Sequence, residues 1–213
     1  VSNASALARY PAAVTVTADD LDAAVSCLAG TLGPATGRDW VTLPGTGEWN
    51  CRQTAEHVGD CLLSYAAQLV ARPDARYVRF LAVADKEASP AEVLEFAVTG
   101  GRILASVVRT TAPSVRAYHP TGMAGPAHFA GMGCVEALVH GEDIARGLGL
   151  RLDPPRDVCA RVLARMFPHG DLDVDPWTGL LWATNRTSLP GREPQTGWRW
   201  QGPPAEPENR QTR

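Results

Sequence analysis

The stretch GCVEALVHGEDIARGLG, residues 133–149, decides the reading of this chain. Glu136 and His140 stand four apart in it, and a helix of about 3.6 residues per turn stacks side chains at that spacing on one face. Their neighbours on the stripe are apolar, with Met132 and Val139 to one side and Ile144 to the other. An acid and an imidazole on a core-facing stripe are costly unless something satisfies them. A divalent metal is the simplest answer, because carboxylate and neutral imidazole are both ligands for zinc-like ions. Two ligands are too few, so a third is expected from another helix, and His57 is the leading candidate. Against this stand the ordinary readings of an exposed Glu–His pair or a hydrogen-bonded core histidine. Asp143 shares the stripe, either as an acceptor that orients His140 or as a plain helix-end residue.

The helix holding this pair is expected over about 126–148, with Gly149 as its stop. Upstream, Thr17 and Asp20 mark the start of a first helix whose Leu21, Val25, Leu28 and Leu32 repeat at helical spacing. Gly33 and Pro34 end it. A long loop, GRDWVTLPGTGEW, leads to a second helix opened by Asn50 and Gln53 and stopped by Pro73. On that helix Val58, Leu62 and Leu69 make an apolar row, while His57, Cys61, Ser64 and Gln68 form a small, polar stripe suited to a pocket wall. Ser89, Pro90 and Glu92 open a third helix. Its paired Gly100 and Gly101 mark either a close helix contact or a kink.

Four long helices predict a bundle, where metal sites are commonly built from facing helices. The expected organisation is an arm over 1–16, a metal-binding four-helix bundle over 17–150 and a packed extension over 151–202. The extension is read as a helix from Asp153–Pro154 to about Phe167, a short helix after Asp175–Pro176, and a strand in TGWRWQG. The Pro-rich, polar segment 203–213 reads as a disordered tail.

Composition narrows the function. A formal net charge of -3 leaves no basic footprint for nucleic acid. No apolar run is long enough to span a membrane, and the first residues lack the layout of a secretory signal. A cytoplasmic protein, monomer or homodimer, is the expectation. Of the 20 basic residues only Lys86 is lysine, which reads as coding bias. The five cysteines have no CxxC spacing and read as small buried hydrophobes, although Cys61, one turn after His57, is a possible soft ligand. His128 reads as capping or packing and His169 as a turn residue. His119, in the loop before the metal-bearing helix, is a candidate for substrate contact, with a turn residue as the alternative.

Three segments carry a family resemblance. EWNCRQTAEHVGD looks like a Trp-led helix start ending in a His, GCVEALVHGEDIARGLG like a Glu-x-x-x-His-x-x-Asp helix with a Leu-Gly stop, and PWTGLLWATNRTSLPG with GWRWQG like a C-terminal segment. Together they resemble the DinB-like metal-binding bundles, and within them the mycothiol-dependent maleylpyruvate isomerase-like proteins, over most of residues 17–202. The resemblance implies a mainly α, up-and-down four-helix bundle holding a metal on His57, Glu136 and His140. The metal implied is zinc, with nickel, iron or manganese as alternatives. It also implies a low-molecular-weight thiol, mycothiol, as cosubstrate and a small-molecule electrophile as partner, the thiolate isomerising a cis double bond or being transferred. An open metal site also serves hydrolysis, and a non-catalytic ligand-binding bundle is the third reading. The chain departs from the full isomerase in its short part after residue 150. Arg186 is the candidate there for an anion-binding residue, with a surface arginine at a helix end as the alternative.

Overall fold

Three reciprocal caps set where the first long helices begin. In the computed structural model, which describes residues 14–168 and 173–203, the Thr17 hydroxyl takes the amide of Asp20 and the Asp20 carboxylate takes that of Thr17. Asn50 with Gln53, and Ser89 with Glu92, repeat the device. Each satisfies two amides that a helix start leaves without partners. The helices that follow are α1 (Ala18–Leu32), α2 (Cys51–Ala71) and α3 (Pro90–Thr110). Arg72 closes α2 in the left-handed region at φ 52°. A 3₁₀ turn, Gly33–Ala35, finishes α1.

The fourth long helix is not a plain α-helix. It runs as α4 (Pro126–Val135), a π turn (Glu136–His140) and α5 (Gly141–Gly147). The expected regular helix over 126–148 is therefore corrected: Glu136 and His140 sit on a widened turn, a feature often found at functional sites. Glycines flank that turn. A Cβ at Gly133 would press on Leu104, and one at Gly141 on Leu28, so the helix lies closer to its neighbours here than side chains would permit.

These helices share one core. α1, α2 and α3 pack together and against 126–147, burying Leu21, Leu28, Leu62, Leu69, Leu104, Phe129, Met132 and Leu138. Gly100 resolves its ambiguity toward close contact, lying against the Gly59 carbonyl, and Gly101 lies against Val25. The loop between α2 and α3 runs back along α2, pinned by α2 side chains. Gln68 accepts from the Val78 amide at 2.8 Å, Asp60 from that of Ala82 at 2.8 Å, and Arg52 donates to the carbonyl of Asp85 at 2.8 Å.

The loop before α2 is anchored as firmly. Trp40 is buried and its indole donates to the Ala35 carbonyl at 3.1 Å. The Pro44 carbonyl lies over Gly147, where any side chain would displace it. That contact carries Thr46 to the end of the π turn.

The extension joins the same core. α6 (Arg156–Met166) buries Val158, Val162 and Met166, and α7 (Pro176–Ala183), capped by Asp175, packs on α6. α6 starts later than Pro154 because Pro154 and Pro155 stand in succession, and a residue before proline is disfavoured in helical backbone. The strand expected in 196–202 does not form. No β-strand occurs among the described residues, only two isolated bridges. Alternation survives as packing alone: Trp198 and Trp200 both turn to the core, and Gln201 donates its amide to the Met166 carbonyl at 2.7 Å, but no strand edge lies alongside. His169 and most of the arm and tail lie outside the described residues.

Candidate metal centre

α2 and the π turn bring three donors together. Nε2 of His57 lies 3.5 Å and Nε2 of His140 3.3 Å from Oε2 of Glu136. One ligand atom from each residue lies within 4.8 Å of the others. Four ligands around zinc with bonds near 2.0–2.1 Å stand about 3.3 Å apart. The observed spacings are of that size.

Glu136 is 5% exposed, and its two oxygens differ. Oε1 accepts from the Tyr65 hydroxyl at 3.0 Å. Oε2, facing both imidazoles, has no hydrogen bond among the described residues. A buried carboxylate oxygen without a donor is strongly unfavourable unless a cation meets it. Burial pushes the Glu136 carboxyl up, but the imidazoles of His140 and His57 outweigh it and hold the group well below the usual carboxylate range. The donor set therefore fits a divalent cation.

His140 is oriented from behind. Its Nδ1 lies 3.2 Å from Oδ2 of Asp143 and 3.3 Å from the Thr46 hydroxyl. A carboxylate on the far nitrogen of a ligating histidine fixes its tautomer and raises its basicity. Burial lowers the His140 pKa, yet Asp143 and Glu136 together carry it to about 9. Asp143 is itself held by Arg186, whose Nη2 donates at 2.8 Å and Nε at 3.3 Å, and by the Thr46 hydroxyl. The Arg186 guanidinium lies over Trp198, 5.5 Å from the ring centre. The expected anion-binding arginine thus spends its charge inside the protein.

His57 leaves the site open on one side. Its side chain is 31% exposed, against 13% for His140. Its ring stands 4.9 Å from that of the half-exposed Trp49. Cys61 Sγ lies 3.6 Å from His57 Nε2, and burial pushes its thiol far up, so it stays protonated beside the cluster.

His119 is not in the cluster. It is 7% exposed, with Nδ1 turned onto Thr121 and its ring among Tyr65, Tyr77, His128, Phe129 and Trp200. Burial lowers its pKa to about 4. Unfolded histidine binds its proton near pH 6.5, so this residue contributes stability that is complete above that pH and lost as pH falls toward 4. We expect the slope to reach ~1.4 kcal/mol per pH unit from this residue. Thermal denaturation between pH 7 and pH 4 should show a shallower loss in His119→Phe; equal slopes would assign the acid sensitivity elsewhere.

Residue reading alone missed Tyr65 and Thr46. Tyr65 stands one turn after Cys61, a signal available in the sequence. Thr46 lies in a loop without periodicity, and only the Pro44–Gly147 contact brings it near. No family model matches the chain, and neither curated proteins nor solved structures give a match.

Proposed function

We propose that the chain is a metal-dependent, thiol-using enzyme of the DinB-like, mycothiol-dependent maleylpyruvate isomerase type, an isomerase or thiol transferase acting in the cytoplasm. The observation that carries this reading is Oε2 of Glu136, buried, without a hydrogen bond among the described residues, and faced by two imidazole nitrogens. His57, Glu136 and His140 would hold the metal, most simply zinc. Bound zinc supplies Lewis acidity, which favours the anionic form of a thiol at neutral pH. Tyr65 keeps the Glu136 carboxylate in place, Asp143 sets the ring of His140, and Arg186 balances the charge of Asp143. Trp49 and the exposed edge of His57 border the side from which a thiol and an electrophile would approach.

The test is to incubate zinc-loaded protein with mycothiol and a panel of cis-unsaturated and other electrophilic acceptors. Isomerised product or a thioether conjugate, together with a thiol-dependent rise in melting temperature, is the expected result. Turnover of esters or amides without thiol, abolished by chelation, would replace this reading with a hydrolase. Neither product nor thermal shift would leave a non-catalytic bundle.

A further inference from the structure

Away from the candidate metal centre, one partly buried guanidinium is paired with an imidazole instead of a carboxylate. Arg165, on α6, is half-buried, and burial lowers its pKa. Its polar partner is neutral: Nη2 donates to Nδ1 of His128 at 2.8 Å. No carboxylate pairs with it among the described residues. Accepting at Nδ1 leaves His128 with its hydrogen on Nε2, which is buried and has no acceptor among the described residues. Holding a guanidinium partly out of water against a neutral ring costs free energy that an anion would return.

Both residues line a cavity of about 570 Å³, within the size range of small-molecule sites. Among the described residues, none that lines it is Asp or Glu. Of the two other lining guanidiniums, Arg109 pairs with Asp19 and Asp22 at 2.7 Å each, and Arg116 donates to the carbonyls of Pro113 and Val115 at 2.7 and 2.9 Å. The start of α4 also lines it; Pro126 has no amide and that of His128 donates to the Gly125 carbonyl at 3.0 Å, so the amide of Ala127 is the one the Gly125 N-cap leaves without a side-chain acceptor. A helix start of this kind favours negative charge. Val16, Val108 and Pro113 make apolar wall.

We propose that this cavity is a second ligand site, separate from the metal centre, which takes an organic monocarboxylate with an apolar body. The carboxylate would sit on Arg165 beside the α4 start, and the body along Val16, Val108 and Pro113. A carboxylate is selected because the planar fork of Arg165, which has no carboxylate partner among the described residues, matches it. The apolar wall selects a body larger than that of acetate.

The experiment is calorimetric titration of the metal-free 213-residue chain with 4-phenylbutyrate, 4-phenylbutyramide and acetate. The acid is expected to bind at least about tenfold more tightly than the neutral amide, and acetate more weakly than either. Arg165→Gln should lose about tenfold or more in affinity for the acid while keeping the parent's zinc uptake and circular dichroism. Glu136→Gln should bind the acid like the parent, which separates this cavity from a carboxylate landing at the metal ligands. If Arg165→Gln fails to fold, Arg165→Lys, which keeps charge but not the fork, should show intermediate affinity. Equal affinity for acid and amide, unchanged binding in the Arg165 variants, loss of binding in Glu136→Gln, or no heat up to about 10 mM would each overturn the proposal.

Discussion

Replacing Glu136 with glutamine is expected to lower zinc affinity by more than about a hundredfold and to abolish the zinc-dependent rise in melting temperature. Loss of an outer partner of a metal ligand already costs about ten- to a hundredfold; here a direct donor is removed. The amide keeps the shape, and Tyr65 still has an oxygen to donate to, so the variant tests charge and ligation rather than packing. The parent protein, at a zinc concentration about a thousand times its Kd, should gain about 4 kcal/mol of stability, and the variant almost none. His57→Ala should lose affinity alike with little change in the stability of the metal-free protein, because His57 is partly exposed. Elemental analysis of the parent and both variants, beside thermal denaturation with and without chelator, is the check. A parent that takes up no zinc, or a Glu136→Gln protein that holds as much as the parent, removes the metal reading and with it the proposed enzyme.

Arg186→Gln is expected to destabilise the metal-free protein by about 3 kcal/mol and to weaken zinc binding by roughly tenfold or more. Asp143 and Arg186 are both largely buried, with side chains 10% and 15% exposed. Removing the guanidinium leaves the Asp143 carboxylate inside the protein with its main cation gone, which is the expensive way to break a buried pair. It also loosens the carboxylate that sets the ring of His140. The double variant Asp143→Asn/Arg186→Gln separates the two effects. Stability should recover in part, because no buried charge is then orphaned, while zinc affinity should stay low, because His140 has lost its charged acceptor. Urea denaturation and zinc competition with a chelating dye read these out. A cost of less than about 1 kcal/mol for Arg186→Gln would mean that solvent screens the pair, and that the extension does not support the metal centre.

The buried Asp20 and the half-buried Arg165 are handled in opposite ways. Asp20 closes the α1 cap and takes Arg161 at 2.6 Å, so the acid and the cation cancel as the extension docks. Arg165, one turn further along α6, was given an imidazole instead. Glu136 also faces imidazoles: its Oε2 lies 3.3 Å from Nε2 of His140 and 3.5 Å from Nε2 of His57, with no hydrogen bond among the described residues. A structural ion pair closes on itself, whereas a ligand site leaves a charge to be met by the ligand, and that contrast motivates both the proposed metal site and the proposed carboxylate cavity.

Much of the fold was legible in the residues because its signals are local. Thr17 with Asp20, Asn50 with Gln53 and Ser89 with Glu92 are three apart, and a cap needs nothing beyond that turn. Pro73 and Gly149 end helices for equally local reasons. The bearing of Glu136 and His140 on one face was legible too, since neighbours four apart stay nearly superposed on an α or a π turn. The third donor rested on a stripe of small side chains on α2, and only packing of α2 against 126–147 brings its imidazole to 3.5 Å from the carboxylate. The strand in 196–202 failed for the converse reason. Alternation is local, but a strand exists only beside a partner edge, which a sequence does not display.

The chain by itself determined which residues are helical, where the long helices start and which chemical groups lie on their inward faces, because helix hydrogen bonds, caps and periodicity span only a few positions. Tertiary structure alone decided what those groups meet. Arg186 reaches Asp143 across 43 positions of sequence, Thr46 reaches it across 97, and Arg165 reaches His128 across 37. Such meetings depend on how closely helices approach through Gly133, Gly141 and Gly147, and on where the loops are pinned. Burial then sets their energies, since a charge removed from water takes its stability from whichever partner the packing supplies.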